Sequence, residues 1–146
     1  MSPVEGLVTL DIPARGEYVV LCRLALTGLL RDGGYSEDAV ADLKLAVTEA
    51  CTNSIRHAYE SKSGDVPKVH VSYDVQADRV VLVVQDEGTG FNEAECEQPA
   101  PMEDGSILPS EGGMGMSIIR AVVDEFGLER PAEGGTRLTL TKFRDA

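Results

Sequence analysis

The spacing of apolar and polar residues in the first third of the chain predicts a short strand followed by two helices. Residues 7–12 alternate between the two classes before Pro13, as expected of a strand at the edge of a sheet. A helix is predicted over residues 17–31, whose apolar side chains cover more than one face, and Gly33 and Gly34 would end it. A second helix would begin after the N-cap residue Ser36 and run to about Tyr59. Its small and apolar residues form a stripe for packing on a sheet: Leu43, Val47, Ala50, Ser54 and Ala58.

The rest of the pattern predicts strands around one further helix. After a loop at residues 61–67, residues 69–73 alternate as a strand, and the near-continuous apolar run in 79–85 is typical of a central strand covered on both faces. A glycine-rich segment leads into a helix over residues 117–123. Strands are expected at 126–130 and 136–143, with a turn at Gly134 and Gly135. The expected fold class is α+β, a single domain over residues 1–146 with a mostly antiparallel mixed sheet and helices packed on one face.

Composition narrows the choice of partners and compartment. The chain has 146 residues, 42% hydrophobic and 26% charged, as in globular proteins, and no apolar run approaches the roughly 18 residues of a membrane span. Its 13 basic and 25 acidic residues give a net charge of −12, which argues against direct nucleic-acid binding and favours a basic protein partner. We expect no membrane partner and a cytoplasmic location. Three cysteines, Cys22, Cys51 and Cys96, fit a reducing compartment as buried or half-buried thiols.

The second predicted helix carries candidate catalytic residues. Glu49 and Asn53 are four residues apart and therefore project from the same face, beside Arg56 and His57. A carboxylate and an amide oxygen in this relation could serve as a general base and a Mg²⁺ ligand. A solvated polar helix face is the alternative interpretation.

Two glycine-containing segments follow. Asp86 directly follows the predicted central strand and precedes Gly88, Gly90 and Phe91. A carboxylate at a strand end can accept a hydrogen bond from an adenine amino group, although ordinary turn chemistry uses the same residues. The second segment could turn its backbone N–H groups toward phosphate oxygens, or could be a flexible connection to the helix. It consists of Gly112, Gly113, Met114, Gly115 and Met116.

Together and in this order, the three segments resemble one superfamily. Residues 45–59, LAVTEACTNSIRHAY, are similar to the N-box of the GHKL (histidine kinase-like) ATPases, and residues 86–91 and 113–115 are similar to their two glycine boxes. Within this superfamily, the Thr-Asn-x-x-x-His-x-Tyr motif and the small size of the chain resemble the anti-sigma factor serine/threonine kinases. The resemblance covers nearly the whole chain and implies a Bergerat-type ATPase sandwich that uses ATP and Mg²⁺.

The resemblance also implies a role for each matched residue. Glu49 would be the general base, and Asn53 would hold Mg²⁺ against the phosphates. Asp86 would bind the adenine amino group, joined through water by Thr136. Other residues would surround the nucleotide: Gly88, Gly90 and Phe91 at the base, residues 112–117 with Met116 and Ser117 at the phosphates, and Arg56 and His57 nearby. Residues 92–111 would be the ATP lid, which holds six acidic residues and no Lys or Arg.

Such a kinase would phosphorylate a serine or threonine of an anti-anti-sigma protein and would hold a sigma factor when that antagonist is phosphorylated. Two other functions stay open: a nucleotide-gated sigma-binding module without kinase activity, and a switch kinase that acts on a scaffold protein. The excess apolar surface predicted for the first helix suggests a homodimer or a sigma-docking face. The resemblance points to Arg23 as a partner contact, and an ordinary snorkelling side chain is an equal alternative.

Overall fold

A computed structural model describes residues 7–58, 67–86, 111–130 and 135–144, and for residues 57, 58 and 111–115 it describes the backbone alone. The elements are β1 (Val8–Pro13), a 3₁₀ turn (Gly16–Tyr18), α1 (Val19–Asp32), α2 (Glu37–Ala58), β2 (Lys68–Val75), β3 (Arg79–Asp86), α3 (Glu111–Val122), β4 (Glu125–Glu129) and β5 (Arg137–Phe143). The strands form one five-stranded sheet in the order β1, β2, β3, β5, β4, and its pairings are antiparallel. The predicted α+β class, the edge position of β1 and the central position of β3 are confirmed.

The turn between α1 and α2 is fixed by its own residues. Gly34 has a φ of +79°, and the Tyr35 N–H donates a hydrogen bond to the Leu30 carbonyl at 3.0 Å, as in a Schellman motif. The Ser36 hydroxyl accepts a hydrogen bond from the Ala39 N–H at 3.1 Å. This confirms the predicted N-cap of α2.

The core lies between α2 and the sheet. α2 packs on β2, β3 and β5 and is flanked by α1 and α3. The predicted stripe on α2 is confirmed at the positions whose side chains are described, since Leu43, Val47 and Ala50 are completely buried and Ser54 is buried. Residues on the helix side of the central strand complete this layer: Val80, Leu82 and Val84.

The prediction that the central strand is covered on both faces is wrong. Val81 and Val83, on the side of β3 away from α2, are only half-buried. That outer face carries a polar row in register across the five strands: Asp11, His70, Gln85, Arg137 and Glu129. Its members pair along the row, with His70 Nδ1 2.7 Å from Asp11 Oδ1 and Arg137 donating to Gln85 and Glu129. β-Branched side chains suit a half-covered pleated surface, so an apolar run does not require two buried faces.

α3 begins at Glu111, ahead of the predicted start at Ser117, and the glycine-rich segment therefore forms its first turns. In a helix interior, glycine lowers stability by about 1 kcal/mol relative to alanine, so a segment with three glycines favours a loop before the helix. The completely buried Ile119 anchors the middle of α3. At its end, Lys142 Nζ donates to the Val122 carbonyl at 3.2 Å and lies 3.3 Å from Asp42 Oδ2. β5 and α2 thus hold the C-terminal end of α3.

Cys22 of α1 and Cys51 of α2 are completely buried, as predicted, and Cys96 lies outside the described residues. The Tyr73 hydroxyl donates to the Cys22 carbonyl at 3.0 Å. Burial raises the pKa of the Tyr73 phenol well above its ordinary value. A hydrogen bond with the Cys22 thiol, together with burial, raises the pKa of Cys51.

α1 turns apolar side chains toward solvent. Val20, Leu21 and Leu24 are 41%, 43% and 63% exposed, which confirms the predicted excess of apolar surface. Arg23 lies among them and is half-buried. Within the described ranges, no helix has the length and apolar character needed to span a membrane.

Candidate functional site

Asp86 ends β3 with its side chain on the helix side of the sheet. The residue is 1% exposed and pairs with Val69 of β2. Its backbone N–H donates to the Thr136 carbonyl at 3.0 Å, which joins the end of β3 to the residue before β5. A carboxylate buried to this extent interacts strongly with hydrogen-bond donors, the property that recognition of an amino group requires.

Gly135 and Thr136 form the wall beside Asp86. Gly135 has a φ of +83°, and a Cβ atom there would overlap the Asp86 carbonyl oxygen and lie 3.3 Å from Oδ1, so only glycine permits this approach. Thr136 is 4% exposed, and its Oγ1 has no hydrogen-bond partner among the described residues. Because buried hydroxyls are nearly always hydrogen-bonded, this pair of buried groups fits a polar ligand such as adenine.

On α2, Glu49, Asn53 and Arg56 are half-buried and share one side of the helix. Asn53 lies where α2 meets α3, with its Nδ2 4.0 Å from Met116 Sδ. Half burial leaves a carboxylate accessible to a substrate hydroxyl while it reduces contact with water. The Asn53 amide offers an oxygen of the kind that Mg²⁺ prefers, so this face of α2 fits the predicted cation and base chemistry.

The first turn of α3 contains Glu111, Gly112 and Gly113. The first N–H groups of a helix have no partner within the helix and carry the positive end of its dipole. They are suited to phosphate oxygens without any basic side chain. Further along α3, Met116 is half-buried and Ser117 is exposed.

The structure therefore brings the predicted residues together in two groups. Asp86 and Thr136 meet where β3 ends and β5 begins, and Asn53 meets Met116 between α2 and α3. Both groups lie on the helix face of the sheet, because α2 packs on β3. Other predicted residues lie outside the described residues or have only their backbone described: Gly88, Gly90, Phe91, the lid up to residue 110, and His57, Gly112, Gly113, Met114 and Gly115.

Sequence reasoning missed the part that Gly135 plays, since it assigned this residue only to a turn. Its contact with Asp86 depends on the pairing of β3 with β5, which brings the two strand ends together. The sequence feature that could have indicated this role is the position of Gly135 directly before the predicted nucleotide-binding residue Thr136.

Comparisons of sequence identify relatives of this chain. The family described as histidine kinase-like ATPase domain matches residues 12–142. The serine-protein kinase RsbW of Bacillus pumilus is 36% identical over 146 residues, which cover 98% of this chain and 89% of that protein. The serine-protein kinase RsbW of Listeria monocytogenes is 35% identical, with 98% and 90% covered.

Comparisons of structure find the same fold elsewhere. The crystal structure of the RsbU and RsbW domains of a Mycobacterium tuberculosis protein superposes with a TM-score of 0.68 at 20% identity, covering 97% of this chain and 33% of that one. The histidine kinase domain of a blue-light activated kinase from Erythrobacter litoralis superposes with a TM-score of 0.54 at 18% identity, covering 90% and 61%. At these identities, the solved structures show a shared fold.

Proposed function

The chain belongs to the histidine kinase-like ATPase family, and we propose that it is an ATP-dependent serine/threonine protein kinase of a partner-switching system. It phosphorylates a serine or threonine of an anti-anti-sigma protein, and it sequesters a sigma factor when that antagonist is phosphorylated. The two relatives described above are serine-protein kinases that match nearly the full length of the chain. This favours a kinase over a sigma-binding module without activity, and a switch kinase that acts on a scaffold is distinguished from it by its binding partners.

A buried carboxylate beside a buried hydroxyl supports ATP binding most directly. The adenine amino group donates a hydrogen bond to Asp86, and a water molecule connects the base to Thr136. Gly135, which has no Cβ atom, allows the chain before Thr136 to lie directly against Asp86. Gly88, Gly90 and Phe91 line the base in this proposal.

Phosphoryl transfer requires mainly positioning and charge compensation from the protein. Glu49 accepts the proton of the substrate hydroxyl. The hydroxyl oxygen then bonds to the γ-phosphorus of ATP, and ADP leaves as the bond between the β,γ-bridging oxygen and the γ-phosphorus breaks. Asn53 would hold Mg²⁺ through its amide oxygen, and the bound cation would neutralise phosphate charge. The first N–H groups of α3 and the Ser117 hydroxyl bind phosphate oxygens. Because the lid at residues 92–111 has no Lys or Arg, Arg56 or a partner supplies the cation near the γ-phosphate.

The partners follow from surface chemistry. The net charge of −12 favours a basic protein surface, such as that with which a sigma factor binds DNA, over direct contact with nucleic acid. The exposed apolar residues of α1, with Arg23 among them, provide a face for the sigma factor or for a second copy in a homodimer. We place the protein in the cytoplasm, as one domain over residues 1–146.

Reconstitution tests this proposal. The protein is mixed with Mg-ATP and candidate antagonists encoded near its gene, and mass spectrometry then locates any phosphate. Phosphorylation of a serine or threonine, followed by retention of the sigma factor, is the expected result. ATP-dependent retention of sigma without phosphate transfer would select the binding module instead. Binding to a scaffold protein and to no sigma factor would select the switch kinase.

A further inference from the structure

The side chains of Asn53 and Met116 meet across the contact between α2 and α3. Asn53 Nδ2 lies 4.0 Å from Met116 Sδ. The two ends of an asparagine amide differ, because Nδ2 only donates hydrogen bonds and Oδ1 only accepts them. A thioether sulfur accepts weakly and cannot donate. The contact therefore distinguishes the two ends of the amide and keeps the nitrogen toward α3.

Both partners are held in place by their surroundings. Met116 is half-buried and packs against the hydrophobic core, and Ile119, one turn further along α3, is completely buried. Asn53 is half-buried and is followed on α2 by the buried Ser54 and Ile55. The opposite orientation of the amide would place Oδ1 against the lone pairs of the sulfur and would leave the half-buried N–H groups without this acceptor.

We propose that Met116 is a positioning residue for the Mg²⁺ site. It engages the Asn53 nitrogen, so the Asn53 oxygen is turned away from the sulfur and is left for the cation. The contact joins the helix that carries Asn53 to the helix whose first turn is proposed to bind the phosphates. This role rests on the proposed ATP- and Mg²⁺-dependent function.

Met116→Leu is the direct test, because leucine keeps an apolar side chain of similar volume and removes the acceptor. Mg²⁺ is expected to increase the affinity for ATP, and the readout is the Mg²⁺ concentration at which half of this increase is reached. In Met116→Leu this concentration should rise roughly three- to tenfold, which is the effect of losing one weak hydrogen bond. Affinity for ATP in excess EDTA is measured alongside, so that any loss of phosphate binding through α3 is separated from the loss of the Mg²⁺ response. Isothermal titration calorimetry over a series of Mg²⁺ concentrations measures both quantities.

A second measurement needs neither ATP nor activity. The side-chain NH₂ resonances of Asn53, assigned by ¹H–¹⁵N spectroscopy in the ligand-free protein, should shift in Met116→Leu and return toward their original positions in Met116→Gln. Glutamine has a similar length and restores a hydrogen-bond acceptor. Ile119→Val is the matched control, because it removes one methylene group from α3 without touching the contact. It should lower thermal stability and leave the Mg²⁺ response unchanged.

The outcomes separate the positioning role from the function on which it rests. An unchanged Mg²⁺ response in a folded Met116→Leu protein, or unchanged Asn53 resonances, would overturn the positioning role alone. An equal change in Ile119→Val would also overturn it, by showing that general loosening of α3 is sufficient. A wild-type protein that binds no ATP would overturn the proposed function and this role together.

Discussion

Gly135 lies so close to Asp86 that a Cβ atom on it would overlap the Asp86 carbonyl oxygen. The two residues sit at the ends of paired strands, and Thr136 continues the contact by accepting a hydrogen bond from the Asp86 N–H. The proposed recognition of adenine would therefore depend on the backbone fit between β3 and β5 as well as on the Asp86 carboxylate.

Gly135→Ala is expected to lower both stability and ATP affinity. The methyl group would meet the Asp86 carbonyl, and a φ of +83° strains any L side chain, for a cost on the order of 1–3 kcal/mol. Gly127→Ala in β4 is the matched control, since nothing lies within 4 Å of a Cβ there. Urea unfolding of both variants measures the difference. Equal stabilities of the two variants would contradict the close approach.

Asp86→Asn should weaken ATP binding by about ten- to a hundredfold, because a charged acceptor is replaced by a neutral amide that also presents a donor. Asp11→Asn is the control, since Asp11 pairs with His70 on the outer face of the sheet. It should leave ATP affinity unchanged. Calorimetric titration of both variants with ATP decides the matter, and an unaltered affinity of Asp86→Asn would refute the adenine site.

Arg144→Ala should destabilise the end of the domain that contains the α1–α2 turn. The Arg144 guanidinium donates to the carbonyls of Gly33, Gly34 and Ala77 at 3.2, 2.7 and 3.3 Å and lies 4.3 Å from the centroid of the Tyr35 ring. Its loss is expected to cost about 1–2 kcal/mol in the free energy of unfolding. Arg31→Ala, which removes an exposed pair with Glu37, should cost less. Thermal unfolding of the two variants is the measurement, and an equal loss would contradict the expectation.

Stability should fall in alkaline solution because of Tyr73. Burial raises the pKa of this phenol, so the folded protein keeps the proton at pH values where the unfolded chain releases it. The stabilisation is complete below the ordinary tyrosine pKa of about 10 and is lost as the pH rises above it. Tyr73→Phe should be less stable at pH 8, since it lacks the hydrogen bond to the Cys22 carbonyl, and should show a shallower alkaline fall. Urea unfolding midpoints of wild type and Tyr73→Phe at pH 8 and about 10.5 test this. An equal fall of the midpoint between the two pH values in both proteins would contradict the prediction.

The sequence was sufficient to predict where an element begins or ends when that position depends only on neighbouring residues. Ser36 and Gly34 define the turn between α1 and α2 by hydrogen bonds and dihedral angles within a few residues, and both were predictable. The position of Asp86 at the end of a central strand followed from the apolar run before it.

Other features depend on contacts between distant parts of the chain, which a single sequence does not display. The half-buried outer face of β3 reflects helices that pack on one side only, and an apolar run cannot distinguish this from two covered faces. The contact of Asn53 with Met116, and that of Gly135 with Asp86, depend on how α2 meets α3 and how β3 pairs with β5. Residue spacing along the chain carries no information about either.

Transfer of ³²P from [γ-³²P]ATP to the cognate antagonist, in wild type and Glu49→Gln, tests the central claim most directly. Glu49→Gln should reduce transfer at least about a hundredfold, because the amide cannot accept the hydroxyl proton, while calorimetry shows unchanged ATP affinity. Glu37→Gln, at the exposed start of α2, is the control and should transfer normally. Labelling of a serine or threonine by wild type and Glu37→Gln, and its loss in Glu49→Gln, is the predicted result. Equal labelling by Glu49→Gln, or no labelling by a wild-type protein that binds ATP, would contradict it.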